Sequence, residues 1–310
     1  MAASQPPASS RQATIAAGAL GWNGIAYGAG LFVAIAVNTT TYATSPDGIT
    51  WTTRSLPAAM KPYNIAYGAG IFLVIGDQGS STTTATSPDG LNWTTNTTTT
   101  AIIGVGFGYG NQLFLAFGGA QLGNGVNICN TTPDGVTWTT SNVPTIPNVT
   151  GYVYWQAVCY GNNRYVVVNN TTPVTFDFQG ASSPDGMTWT GFAMPAIAAS
   201  IAYGNGIFVA TGATQYVSPT SYMTSTNGTS WSTHSLTNIG TVTFGGGVFF
   251  MAPPAVAAGT ATKTWMSTNG TLWTSSSAVG AGAHTNYTAY GNNRFVTVTN
   301  NSNLVNITIL

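Results

Sequence analysis

Apolar and polar positions along the chain alternate with the two-residue period of strands, in short runs that stop at Gly, Asn, Asp or Ser. Between residues 63 and 95 four such runs follow one another: Tyr63–Tyr67, Ile71–Ile75, Thr82–Ser87 and Leu91–Thr95. Gly, Thr, Asn and Ser dominate the remaining positions, a composition suited to turns and strands and poor for helices. The pattern predicts an all-β chain.

The runs belong to a repeat. An aromatic–Gly pair, read as a turn, precedes an aromatic strand residue at Tyr27-Gly28 with Phe32, Tyr67-Gly68 with Phe72 and Tyr109-Gly110 with Phe114. It returns at Tyr160-Gly161 with Tyr165, Tyr203-Gly204 with Phe208, Phe244-Gly245 with Phe249 and Tyr290-Gly291 with Phe295. The copies recur about every 40 to 50 residues, the period of a propeller blade. A second signature, Ser45-Pro46-Asp47-Gly48-Ile49-Thr50-Trp51, follows the first copy and has counterparts ending at Trp93, Trp138, Trp189, Trp231 and Trp273. Its Asp or Asn (Asp47, Asp89, Asp134, Asp185, Asn227, Asn269) can accept hydrogen bonds from its own turn, and its Gly supplies a positive φ. The Trp is expected two residues into the return strand, where its indole would pack between neighbouring repeats. Four antiparallel strands repeated seven times predict a seven-bladed β-propeller.

The seventh repeat has no such box. After Phe295 the chain supplies only three strands, ending in Leu304–Leu310. The missing outer strand is expected from Gln12–Ala17 pairing with Val305–Ile309, which would close the ring and hide two open edges. Residues 1–10 then form a tail and 11–310 a single propeller.

Charge narrows the functional classes. Asp, Glu, Lys and Arg make up 4% of residues, against about 25% in ordinary soluble domains, and no Glu occurs. Six basic residues form no patch, which argues against nucleic acid as partner. Apolar runs are strand-length, which argues against membrane insertion by helices, and Met1–Ser10 has no apolar core of a signal peptide. Cys129 and Cys159 read as small buried side chains rather than a bridge.

The Ser-x-Asp-Gly-x-x-Trp box resembles the Asp-box, or BNR, repeat of sialidases and other β-propellers. The YGNGxFVA and SPDGxTW style is also similar to propeller modules of bacteriophage tail and virion proteins. Sialidase chemistry, as that resemblance implies, uses three arginines, a Tyr–Glu pair and an Asp. The chain has no Glu, and Arg164 and Arg294 occupy the same repeat position in distant blades. Outside the boxes only Asp77 and Asp177 remain, and their blades, two and four, are not adjacent, as the paired carboxylates of a glycosidase would need. His234 and His284 lie in different blades, with no Cys or carboxylate at metal-ligand spacing. The expectation is a chain that is not an enzyme and holds no metal or cofactor.

A ligand or partner is expected on the face that gathers the longer connections, those between blades and those between the second and third strands. The residues singled out there are Tyr63, Asp77, Tyr152, Tyr154, Trp155, Phe176, Asp177, Phe178 and Tyr216. Two functions follow. The first, drawn from motif style, the missing signal and scarce charge, which leaves a neutral surface that associates readily, is a structural or interaction propeller of a phage virion, in a decoration, tail or host-attachment role, bound to other virion proteins or to itself. The alternative is a carbohydrate-binding propeller that recognises a cell-surface glycan. A sialidase-like hydrolase ranks third.

Overall fold

The computed structural model describes residues 9–57, 60–77, 82–98, 106–118, 127–143, 155–169, 178–212, 220–253, 263–277 and 286–310. They form seven four-stranded antiparallel sheets. Six are consecutive meanders. The seventh takes Asn286–Gly291, Arg294–Thr299 and Leu304–Ile309 and adds Ser9–Thr14 as its outermost strand. Each first strand contacts the first strands of the blades on either side, so these seven line a central channel. The protein is a closed seven-bladed propeller.

Polarity is graded from channel to rim. The second strand of each blade is covered on both faces and reads as a continuous apolar run, such as Leu31–Ala36 and Ile71–Ile75. Third strands mix Thr and Ser with Ala, Tyr or Met and are also buried, as in Thr41–Ser45 and Ser221–Ser225. Fourth strands, such as Thr52–Ser55 and Thr274–Ser277, are mostly exposed and polar.

The aromatic–Gly pair proves to be a seam rather than a turn. Positive φ falls on the residues after it, for example Ala29 (46°) and Gly30 (78°). The pair's glycine ends the first strand, and the next blade's aromatic ring lies flat against it. A Cβ on Gly28 would sit 2.1 Å from the Tyr67 ring, and one on Gly161 would sit 2.0 Å from Tyr203. The relation continues from Gly68 to Tyr109, Gly110 to Tyr160, Gly204 to Phe244 and Gly245 to Tyr290, then from Gly291 back to Tyr27. Each ring also meets an aromatic of its own second strand, with centroids 4.6–4.9 Å apart. A circle of seven rings and seven glycines thus joins all the blades.

The box ties the outer strands. Asp185 Oδ1 accepts from the backbone N–H of Met187 (2.8 Å) and Thr188 (2.7 Å), and the Ser183 hydroxyl accepts from Gly186 N–H. The Asn boxes use the same bonds: Asn227 Oδ1 accepts from Thr229 and Ser230 at 3.0 and 2.9 Å. The box glycine needs both its positive φ and its missing side chain. A Cβ on Gly48 (φ 71°) would lie 2.6 Å from Val296 of blade seven.

The box Trp precedes the return strand instead of lying within it. Trp93 stands just before Thr94–Thr98, which corrects the expected Leu91–Thr95. Its indole does bridge blades, meeting Tyr42 of blade one edge-on at 5.8 Å and Phe72 of its own blade at 6.4 Å.

These bonds predict an acid response. Backbone N–H groups of Thr188 and Met187 hold the Asp185 carboxyl down at about 2, and Asp89 and Asp134 are lowered by equivalent bonds. A carboxylate lowered on folding contributes stability above its unfolded pKa, about 3.9. That contribution fades as pH falls towards the folded value. The melting temperature should therefore drop between about pH 4 and pH 2. Asp185→Asn, which keeps the acceptor but cannot titrate, should reduce that drop in a calorimetric series over this range.

Ring closure uses Ser9–Thr14, not Gln12–Ala17. The register runs from Ser9 opposite Ile309 to Thr14 opposite Leu304. Ile15 leaves the ladder and is buried in the core beside Trp22, Val296 and Val305. Its apolar character marks a plug at the strand's end.

Candidate functional site

The channel wall is almost free of charge. Among the described first-strand residues only Lys61 is charged. First strands leave one backbone edge without a ladder partner, and side chains of the preceding blade meet part of it. Asn23 Nδ2 donates to Tyr63 O at 2.8 Å, and Ser200 Oγ donates to Val242 O (3.2 Å) while accepting from Val242 N (3.0 Å). Thr241 Oγ1 donates to Asn286 O at 3.1 Å, and Thr243 Oγ1 to Thr288 O at 3.4 Å.

On the face of the longer connections, one group of described residues combines exposure with unused bonding capacity. Tyr63 is 41% exposed near the start of the first strand of blade two. Asn23, from blade one, holds that strand through Tyr63 O, and its own Oδ1 is buried with no partner. Lys61 is exposed two residues away, and its backbone pairs with Asp77. The group offers an aromatic face, a buried acceptor that lacks a donor, and one cation at its edge.

The other candidate positions do not join it. Trp155 begins the first strand of blade four, 3% exposed, with its ring 6.4 Å from Phe117 and its Nε1 without a partner. The backbone of Phe178 pairs with Met194 in the same blade. Tyr152, Tyr154, Phe176, Asp177 and Tyr216 lie outside the described residues, as does His284. Asn23 was missed because its sequence neighbourhood is an ordinary strand. Its role depends on a residue forty positions later.

Catalytic groups are scarce here. His234 is on the outermost strand of blade five, with Nε2 2.8 Å from Thr224 Oγ1 and the ring stacked on Tyr222 at 4.9 Å. Arg294 binds the Asp47 carbonyl of blade one through Nη1 at 2.8 Å, so it clasps a seam. Arg164 lies at the matching position of blade four. Cys129 and Cys159 are both free thiols, and burial pushes both up. Among the described residues no cluster of His, Cys, Asp and Glu could hold a metal ion.

The fold and this channel mouth define the chain as a seven-bladed propeller with a nearly uncharged channel. No family model matches the chain, and no curated protein matches it. Solved structures do. The chain is similar to virginiamycin B lyase from Staphylococcus aureus, at 11% identity over 98% of this chain and 100% of that one, with a TM-score of 0.75. It is similar to a streptogramin B lyase at 10% identity over 97% of each chain, with a TM-score of 0.74. A third is a catalytically inactive histidine-to-alanine variant of virginiamycin B lyase with quinupristin, at 11% identity over 98% of this chain and 100% of that one, with a TM-score of 0.74.

These findings correct the functional expectation. The three similar propellers just described, matched along their length, are lyases, which are enzymes, and not virion components. The expectation of a non-enzymatic phage propeller, with its lectin-like alternative, falls with that finding. Charge depletion had carried much of it. The hydroxyls and amides that replace charge have an internal use instead, bonding one blade to the next. At this level of identity the likeness establishes the fold.

Proposed function

We propose that this propeller binds an uncharged organic molecule, one with hydrogen-bond donors and an aromatic or apolar face, at the mouth of its channel between blades one and two. The observation that carries the reading is Asn23, whose buried Oδ1 lacks a donor, next to the exposed ring of Tyr63. A buried acceptor without a partner is costly, and a ligand N–H or O–H, met by a small turn of the Asn23 side chain, would relieve that cost. The ring would stack on the ligand's apolar face. The near absence of charge along the first strands favours a neutral ligand, since a bare ion would be desolvated there without compensation.

One of the similar propellers, an inactive variant, was solved with quinupristin. Quinupristin is therefore the probe of choice. Calorimetric titration should show binding, weakened about tenfold, or roughly 1.4 kcal/mol, by Tyr63→Ala and similarly by Asn23→Ala. Binding that ignores both substitutions would sink this site. Following the same mixtures by chromatography asks whether the bound molecule is also converted. Lyase chemistry would need a base, and His234 is held on the outermost strand, so any conversion should survive His234→Ala.

A further inference from the structure

We infer that the closing strand, Ser9–Thr14, is an exchangeable latch: the seventh blade takes its outermost strand either from its own chain or from a second copy of it. In blades one to six the outer strand is tied to the third strand by a box, with its Asp or Asn bonds and its Trp beneath the seam. Blade seven has neither. Ile309 and Ser9 face each other across the ladder with no turn between them.

What holds the strand is chiefly its six-pair backbone ladder, with little from its side chains. Ser9, Ser10, Arg11, Gln12 and Thr14 are exposed, and only Ala13 is partly covered. The side-chain bond from Gln12 Nε2 to Asn306 Oδ1, at 3.1 Å, is exposed too. The seam under it is also under-filled. In blades one and five the residue three before the box Ser is Tyr42 or Tyr222, and each meets the next blade's Trp edge-on at 5.8 or 5.6 Å. The matching residue of blade six is Thr264, and the next blade, the seventh, has no box Trp to meet it. A small, water-sized gap lies there instead, bordered by Arg11, Phe250, Thr264 and Asn306.

Release would stop at a defined point. Ile15 is buried, and its N–H donates to Asn303 O at 2.9 Å, so the strand before it can swing while the plug stays seated. The freed edge, Leu304–Ile309, would accept Ser9–Thr14 of a second copy in the same register, because the ladder is main chain to main chain. With zero net charge, two copies approach without repulsion. A strand tethered to its own blade competes at a local concentration on the order of millimolar, so closed monomers prevail in dilute solution.

The test is a Gln12→Cys/Asn306→Cys pair, which sets two cysteines opposite each other across the ladder. Oxidised, reduced and unmodified protein are incubated at about 1 mM below the melting temperature, then diluted and sized by light scattering. Dimers are expected in the reduced and unmodified samples and absent from the oxidised one. Hydrogen exchange of the unmodified chain should show Ser9–Thr14 exchanging roughly tenfold faster than the outer strands Thr52–Ser55 and Ser232–Ser235. The same size distribution with and without the cross-link would overturn the inference. If the double variant does not fold, exchange decides alone, and equal protection of the three strands refutes the latch.

Discussion

Gly161→Ala is expected to destabilise the fold by about 3 kcal/mol, the upper end of what overpacking costs. The added methyl would stand 2.0 Å from Cγ of Tyr203, so the ring would have to shift. On its far side that ring meets Phe208 at 4.6 Å. Urea unfolding would read the loss as a lower midpoint with an unchanged slope. Tyr203→Ala in the same background should return part of it, and a double-mutant cycle gives the coupling. Strictly additive costs would mean that the ring and the glycine are not in contact. Gly30→Ala is the contrast: its new methyl meets nothing within 4 Å, and only its φ of 78° is at stake.

Trp189→Ala should cost still more, about 3–5 kcal/mol. The indole is 6% exposed, meets Phe117 of blade three edge-on at 5.2 Å, and donates from Nε1 to Gly186 O at 3.1 Å. Truncation opens a void at a seam and removes the link between the box turn and the neighbouring blade. Leu272→Ala, at a side chain 74% exposed, should stay within about 0.5 kcal/mol. Thermal unfolding of the two variants together would separate a seam defect from a surface change.

How far the sequence could be read depended on where each residue's partner lies. Box geometry was legible because its bonds close within five residues, as from Ser183 to Thr188. The blade count was legible because it rests on repetition. The purpose of the aromatic–Gly pair was not. Gly28 is explained by Tyr67, nearly a whole blade later, and nothing local separates that need from a turn. The closing strand was displaced towards Ile15 and Ala17 because only its place before the first repeat, and no repeat signature, marked it. Outer strands here are instead Thr- and Ser-rich and exposed, and Ser9–Thr14 follows them.

The candidate site was legible only at its aromatic member. Tyr63 stands out as a ring just after a connection. Asn23 acquires its meaning from the Tyr63 carbonyl across a seam. Composition misled most. Scarce charge suggested a surface adapted to permanent assembly, whereas many of the neutral polar groups that replace it face inward and bond across blades.

The circle of rings and glycines has a consequence for how such a molecule can grow. Every unit offers an aromatic plate on one flank and a bare socket on the other, so all seven joints are chemically alike. An additional unit inserted anywhere would find both of its joints already matched. Recognition between units therefore cannot count them. The wedge angle of each sheet must set the size of the wheel, and drift in unit number would be governed by shape while the joints stayed the same.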